Sequence, residues 1–312
     1  MRKLITSMTE GQKKQYKRFV EDAADKALVE ADLDQHGLQS FIERGDEFQE
    51  MILSAVQELS VSKKYDNEQV PSNYAYPWAY RGPKPIADQI KLLAEIFNLD
   101  PSPALTTVAH LPDLHSFVPK NAWPWVDWFA VISDTGLIKL FPQIADPEER
   151  YGEGVLLVFS KIEESPNFCL KTGENSITRR HLHRHLRLHD RTKKALAYIA
   201  QQQSGDIMII AAQLGMCHRG QSIRRAREIF VGNEYGLGSI MGSSIALIHP
   251  ERFTCSQVLG MNLAGDEYSP SDFDYFNYAP TLVTYKNGLY YQPGEIDSFG
   301  ILFASATAFL PS

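Results

Sequence analysis

The residues best suited to chemistry lie between Cys217 and Glu234. His218 and Arg219 precede Ser222, which can cap a short helix, IRRAREIFV, that Gly232 closes. That helix opens with Arg224 and Arg225. A helix start carrying guanidinium groups brings free amides, the positive end of the helix dipole and forked donors to one place, which suits a phosphate or a carboxylate. The spacing is not that of a Walker loop. Downstream, AGDEYSPSDFDYF sets Asp266, Glu267, Asp272 and Asp274 in one stretch, without the register of an EF-hand. His218, Glu234, Asp266 and Glu267 are therefore the catalytic candidates, and Asp266 with Glu267 the candidate ligands of a divalent metal.

A second set of cations sits upstream. The pattern predicts one helix from Ser176 or Thr178 to about Gln203. At about 100° per residue it gathers Arg180, Arg184, Arg187, Arg191 and Lys194 on one side, opposite Leu182, Leu186, Leu196 and Ala200. With Arg219, Arg224 and Arg225 these residues form the candidate anion-binding set. His181, His185 and His189 recur every four positions on the edge of the apolar stripe. The outer two would lie about 12 Å apart along a helix, so one ion could take a neighbouring pair but not all three. No HExxH accompanies them, and a packed, titrating histidine edge is the simpler reading.

The charge is uneven. The chain has 31 Lys and Arg against 38 Asp and Glu, a net of −7, which gives no general attraction to nucleic acid or to an anionic membrane. Yet Lys171 to Phe230 holds twelve basic residues and four acids, whereas Asn262 to the end holds six acids and Lys286 alone. The basic island either docks an external polyanion or acidic protein, or meets the chain's own acidic tail.

Composition bounds the rest. With 44% hydrophobic and 22% charged residues in 312, the chain is an ordinary globular protein, neither fibrous nor mainly disordered. Cys169, Cys217 and Cys255 are odd in number and form no CxxC, which fits a reducing compartment rather than a disulfide framework. The N-terminus turns polar before an h-region could form, and the apolar runs are too short to span a bilayer, so a cytoplasmic protein without a membrane partner is expected.

The elements that must position these residues follow from periodicity. Residues 1–66 read as a helical region, with apolar positions at threes and fours from Thr9 to about Ser60 and breaks at Gly37 and Gly45. Residues 67–85 are a proline- and aromatic-rich connector, and 86–312 the main domain. Within it, helices are predicted over Ile86 to Asn98 and about Pro147 to Ile162, and a strand after the Trp123, Trp125 and Trp128 cluster. IMIIAAQ, from Ile207 to Gln213, reads as a central strand buried on both faces. Gly236, Gly238 and Gly242 form GxGxxxG. A dinucleotide fingerprint would need GxGxxG with a helix after it, whereas Ser239 to Ile248 reads as strand. The glycines suit a close backbone approach instead. GSS at Gly242 to Ser244 is not GxSxG. Strands over Leu282 to Tyr291, around Asn287 and Gly288, and over Phe299 to Phe309 close the domain. The fold class is thus α+β: a helical N-terminal region followed by a mixed β-sheet domain with packed helices.

The stretches GDIMIIAAQLG, HRGQSIRRAREIF, NEYGLG and AGDEYSP resemble the pattern of an uncharacterised family of bacterial proteins. The resemblance spans most of the chain and implies a bacterial, cytoplasmic accessory protein. No activity, cofactor or site residue carries over from it. Three functions remain open: a non-enzymatic protein binding nucleic acid or an acidic protein through its basic ridge, a metal-dependent hydrolase or phosphoesterase, and an oligomeric interaction protein.

Overall fold

In the computed structural model, which describes residues 9–60, 63–164, 182, 185–253, 258–270, 275–285 and 288–311, the chain divides into units Lys3–Lys63 and Lys64–Ser312. The smaller unit contains α1 (Glu10–Ala31), α2 (Gln35–Glu43) and α3 (Gly45–Ser60). The first two starts have a local cause. Thr9 and Gln12 exchange side-chain to backbone hydrogen bonds in a capping box, and Asp34 accepts from the Gly37 amide at 2.7 Å. Phe41 and Phe48 pack edge to face at 4.9 Å across the break between α2 and α3.

The larger unit carries, in chain order, α4 (Ile86–Phe97), α5 (Ser102–Val108), β1 (Asp127–Ile132), α6 (Asp134–Leu140), α7 (Pro147–Glu164), β2 (Leu186–Leu188), α8 (Asp190–Gln202), β3 (Ile207–Gln213), α9 (Ile223–Ile229), β4 (Glu234–Gly236), α10 (Ser239–Ile248), β5 (Gly260–Asn262), β6 (Asp266–Tyr268), β7 (Tyr278–Tyr285), β8 (Gly288–Glu295), β9 (Phe303–Ser305) and β10 (Thr307–Phe309). The fold is α+β. No helix among the described residues is long and apolar enough to cross a membrane.

Two sheets organise this unit. One is antiparallel, in the order β1-β3-β10-β4, with α4, α5 and α10 packed on β1 and β3. Every residue of β3 is buried, as its unbroken apolar run requires for a strand enclosed on both faces and both edges. The other sheet is mixed, in the order β2-β6-β7-β5-β9, with β8 paired to β7 and β5 parallel to β9. The chain steps between the sheets at Ala306, which is fully buried. Its amide donates to Asn262 at 3.0 Å and its carbonyl accepts from Leu237 at 2.9 Å. Two of the three clustered tryptophans pack on the core: Trp123 donates Nε1–H to the Val118 carbonyl at 2.7 Å and packs with Trp128 beside Phe117 and Val126, while Trp125 is exposed.

Three sequence expectations change, and the first is the single strand over Phe299 to Phe309, which Ala306 divides into β9 and β10 in different sheets. The helix predicted from Ser176 or Thr178 to Gln203 is not continuous. Leu186–Leu188 is a strand, and α8 begins only at Asp190, where His189 caps it by accepting from the Arg191 amide. Three residues of leucine, arginine and leucine satisfy a strand's period of two as well as a helix's. Pairing with β6, which sets Arg187 opposite Glu267, decides it. Arg180, His181 and Arg184, like Ser176, Thr178, Asp272 and Asp274, lie outside the described residues. Ser239 to Ile248 is the helix α10 rather than a strand. It is apolar on every side because it is buried nearly throughout, and such a helix shows no amphipathic stripe.

The glycine spacing has a steric cause. A Cβ on Gly236 would meet the Ala264 carbonyl carbon and the Gly265 amide inside 3.0 Å, and one on Gly265 would meet the Gly236 carbonyl equally closely. Gly236→Ala is expected to destabilise the larger unit by roughly 2 kcal/mol or more, as overpacking against backbone does. Gly300→Ala, where the nearest atom lies 3.8 Å away, should leave the melting temperature within error. Equal melting curves for the two variants would refute this account.

Candidate functional site

Most of the cations singled out by sequence are engaged within the protein. Arg187 donates Nε–H to Glu267 at 2.8 Å and stacks 3.6 Å over Phe276. Arg191 reaches the carbonyls of Phe230, Val231 and Glu234, and Arg219 that of Tyr74. Arg227 holds the carbonyls of Ala264 and Asp266. At the start of α9, Arg224 grips Glu68 at 2.7 Å and lies 3.3 Å from Asp297, while Arg225 pairs with Asp66 and with Glu228 at 2.8 Å. Ser222 caps this helix as expected, accepting from the Arg225 amide, and donates its own hydroxyl to Glu68 at 2.6 Å. Lys194 is exposed on α8, away from Arg187 on β2, so no single helical ridge joins them.

His218 and Glu234 do meet. Nε2 of His218 lies 2.7 Å from Glu234 Oε1, Nδ1 lies 3.2 Å from Gln221, and Thr307 and the Val231 amide donate to the same carboxylate. Burial alone would lower the His218 pKa, but the Glu234 charge and both hydrogen bonds raise it. Burial would raise that of Glu234, yet His218, Thr307 and the Val231 amide lower it. Both side chains are buried and their polar atoms are satisfied. The pair acts as a strut between β4 and the turn before α9. Cys217 beside it has its thiol pushed up to about 12 by burial and by Glu234, so it stays protonated.

Asp266 and Glu267 face different ways. Glu267 turns to Arg187. Asp266 is fully buried at the start of α10, where Oδ2 accepts from the Ser239 amide at 2.7 Å and from the Ser239 hydroxyl, and Oδ1 accepts from Tyr151 at 2.9 Å. Ser239 also contacts the Tyr291 hydroxyl at 2.8 Å. A carboxyl group does occupy a helix start here, but it is the protein's own. No group of three His, Cys, Asp or Glu among the described residues is arranged to hold a metal ion. The expected site residues thus occupy separate clusters: His218 with Glu234, Asp266 with Ser239 and Tyr151, Glu267 with Arg187, and Arg224 and Arg225 with Glu68, Asp66 and Glu228.

The open site is one that sequence reasoning missed. A chamber of about 260 Å³ lies under α7 and α8, lined by Ile132, Leu137, Leu196, Met208, Ile240 and Met241. Tyr151 forms part of its wall, so the Asp266 network backs onto it. A polar recess of about 380 Å³ adjoins it, with Glu148, Arg187, Leu188 and Lys193 lining both. His189, Asp190 and Glu267 complete the recess. Burial pushes His189 down to about 4, helped by the Arg227 charge, so its ring is neutral near pH 7. The signal available in sequence was Lys193 beside the chosen Lys194. Their side chains point about 100° apart on the helix, and only Lys193 faces the recess.

Burial raises the pKa of Asp266 to about 7, against partial relief from Ser239, Tyr151 and the Arg227 charge. Between its ordinary value of 3.8 and about 7 the folded protein keeps a proton that the unfolded chain releases, so stability falls as pH rises through that window. The raised pKa of His218 removes stability on the same, alkaline side. His189 and His249, each lowered to about 4 by burial, add stability as pH rises to the ordinary histidine value of 6.5 and oppose this fall, so the variants are compared with each other: from pH 5 to pH 8 Asp266→Asn, always neutral, should gain on the parent by ~3 °C or more. An unchanged pH profile in that variant would exclude Asp266 as the titrating group. Compared with known proteins, the chain matches no family model, no curated protein and no solved structure.

Proposed function

We propose that this is a non-enzymatic binding protein whose larger unit takes a small amphiphilic molecule into the cleft formed by β2, α7 and α8. The observation that carries this reading is the apolar chamber that shares a wall with a charged recess, the combination that small-molecule sites use for affinity and orientation. An extended polyanion would need a row of free guanidinium groups. In the described part of the basic island these groups hold carboxylates or backbone carbonyls, which favours a small ligand over nucleic acid. A phosphoesterase would need His218, Asp266 and Glu267 to face one substrate, and their separate hydrogen-bond clusters favour binding over catalysis. A second reading, self-association, has one supporting observation: the helices of the smaller unit expose Phe19, Val29, Ile42 and Met51. Sedimentation at rising concentration would then show a mass above 35.2 kDa.

The cleft reading is tested by thermal shift with octanoate, octylamine and L-phenylalanine at millimolar concentration. At least one should raise the melting temperature by ~2 °C or more, as a ligand well above its Kd does. Ala197→Phe, which places a ring in the chamber from the exposed side of α8, should abolish that rise while leaving the unliganded protein stable. No rise with any of the three, or an equal rise in Ala197→Phe, overturns the proposal.

A further inference from the structure

The charges of the recess narrow the ligand further. Arg187 and Glu267 neutralise each other, and the Arg187 guanidinium is also stacked on Phe276. His189 is neutral. Three charged side chains remain: Glu148 in the first turn of α7, Asp190 in the first turn of α8, and Lys193 one turn further along α8. None of the three has an ion-pair partner among the described residues. A ligand bearing only a carboxylate would find Lys193 but also two negative groups. One bearing only an ammonium would find the acids and be repelled by Lys193. A head group with both signs meets complementary charge on each side, and its desolvation is answered at both ends.

Resting on the cleft being a ligand site, we infer that it binds a zwitterionic amphiphile, a free α-amino acid with a large apolar side chain. Its ammonium lies against Glu148 and Asp190, its carboxylate against Lys193, and its side chain in the chamber. The sizes agree. The chamber of about 260 Å³ takes one aliphatic or aromatic side chain, and the recess accommodates a compact head group. No covalent step is involved, and no other region of the described structure is needed.

The experiment is isothermal titration of the full chain with L-phenylalanine, N-acetyl-L-phenylalanine, which has no ammonium, and L-phenylalaninamide, which has no carboxylate. The free amino acid should bind at least ten-fold more tightly than either blocked form. In Lys193→Gln the preference over the amide should vanish, and in the double variant Glu148→Gln with Asp190→Asn the preference over the acetylated form should vanish. All three side chains are exposed, so the variants should melt as the parent does, and circular dichroism checks this. Equal binding of the free and blocked forms, or octanoate binding as tightly as phenylalanine, overturns the zwitterion while leaving the cleft as a site. Absence of binding by every amphiphile, with Ala197→Phe indistinguishable from the parent, removes both.

Discussion

The structure depends on one constraint: a polar or charged group buried in this protein must be answered by the protein itself. Asp266 is the extreme case, a fully buried carboxyl group held by the Ser239 amide at the start of α10 and by two hydroxyls. Left without these donors it would cost several kcal/mol, so the donors fix the geometry around it. Through it α7, α10, β6 and, by way of Tyr291, β8 are locked in one arrangement. The chamber wall at Tyr151, Ile240 and Met241 belongs to that arrangement, so the network behind the cleft sets the shape of the cleft.

The same constraint explains why arginines that resemble a docking surface in sequence are structural. The backbone carbonyls between α9, which ends at Ile229, and the start of β4 need donors. Arg191, arriving from α8, covers the carbonyls of Phe230, Val231 and Glu234 with its rigid fork of donors. Arg227 does the same for Ala264 and Asp266 in the turn leading into β6. Lysine could not replace either, because a single ammonium cannot span two or three carbonyls in a plane. A basic island in a chain of net negative charge therefore reflects backbone and carboxylates needing donors, as much as any ligand outside.

What was legible in the sequence follows the length of each signal. Strand β3, with seven consecutive buried residues, and helix α4, with a regular apolar face, are long enough for periodicity to speak, and both lie where the pattern sets them. Strands β2, β4, β5, β6, β9 and β10 span three residues each, too few to show a period, and only pairing partners define them. Helix α10 was misread because burial on all sides removes its amphipathic stripe. The pairing of His218 with Glu234 spans sixteen positions and fell inside the segment marked as chemical, whereas Glu68 and Arg224 are 156 positions apart. No local pattern links two such residues. The cleft was invisible for the same reason, since its walls come from α6, α7, α8, α10, β1, β2 and β3.

The recess departs from the rule that governs the core. Among the described residues the buried carboxylates have a cation or several donors of their own, but Glu148 and Asp190, which are exposed, have no cation and do not need one. Both sit in the first turn of a helix, where the backbone dipole and the free amides favour negative charge at the surface. Lys193, one turn beyond Asp190, is thereby left unmatched as well. Two helix starts converging beside one apolar chamber hold charges of both signs near each other without uniting them in an ion pair. A site that had to keep its charges available for something else would need that arrangement.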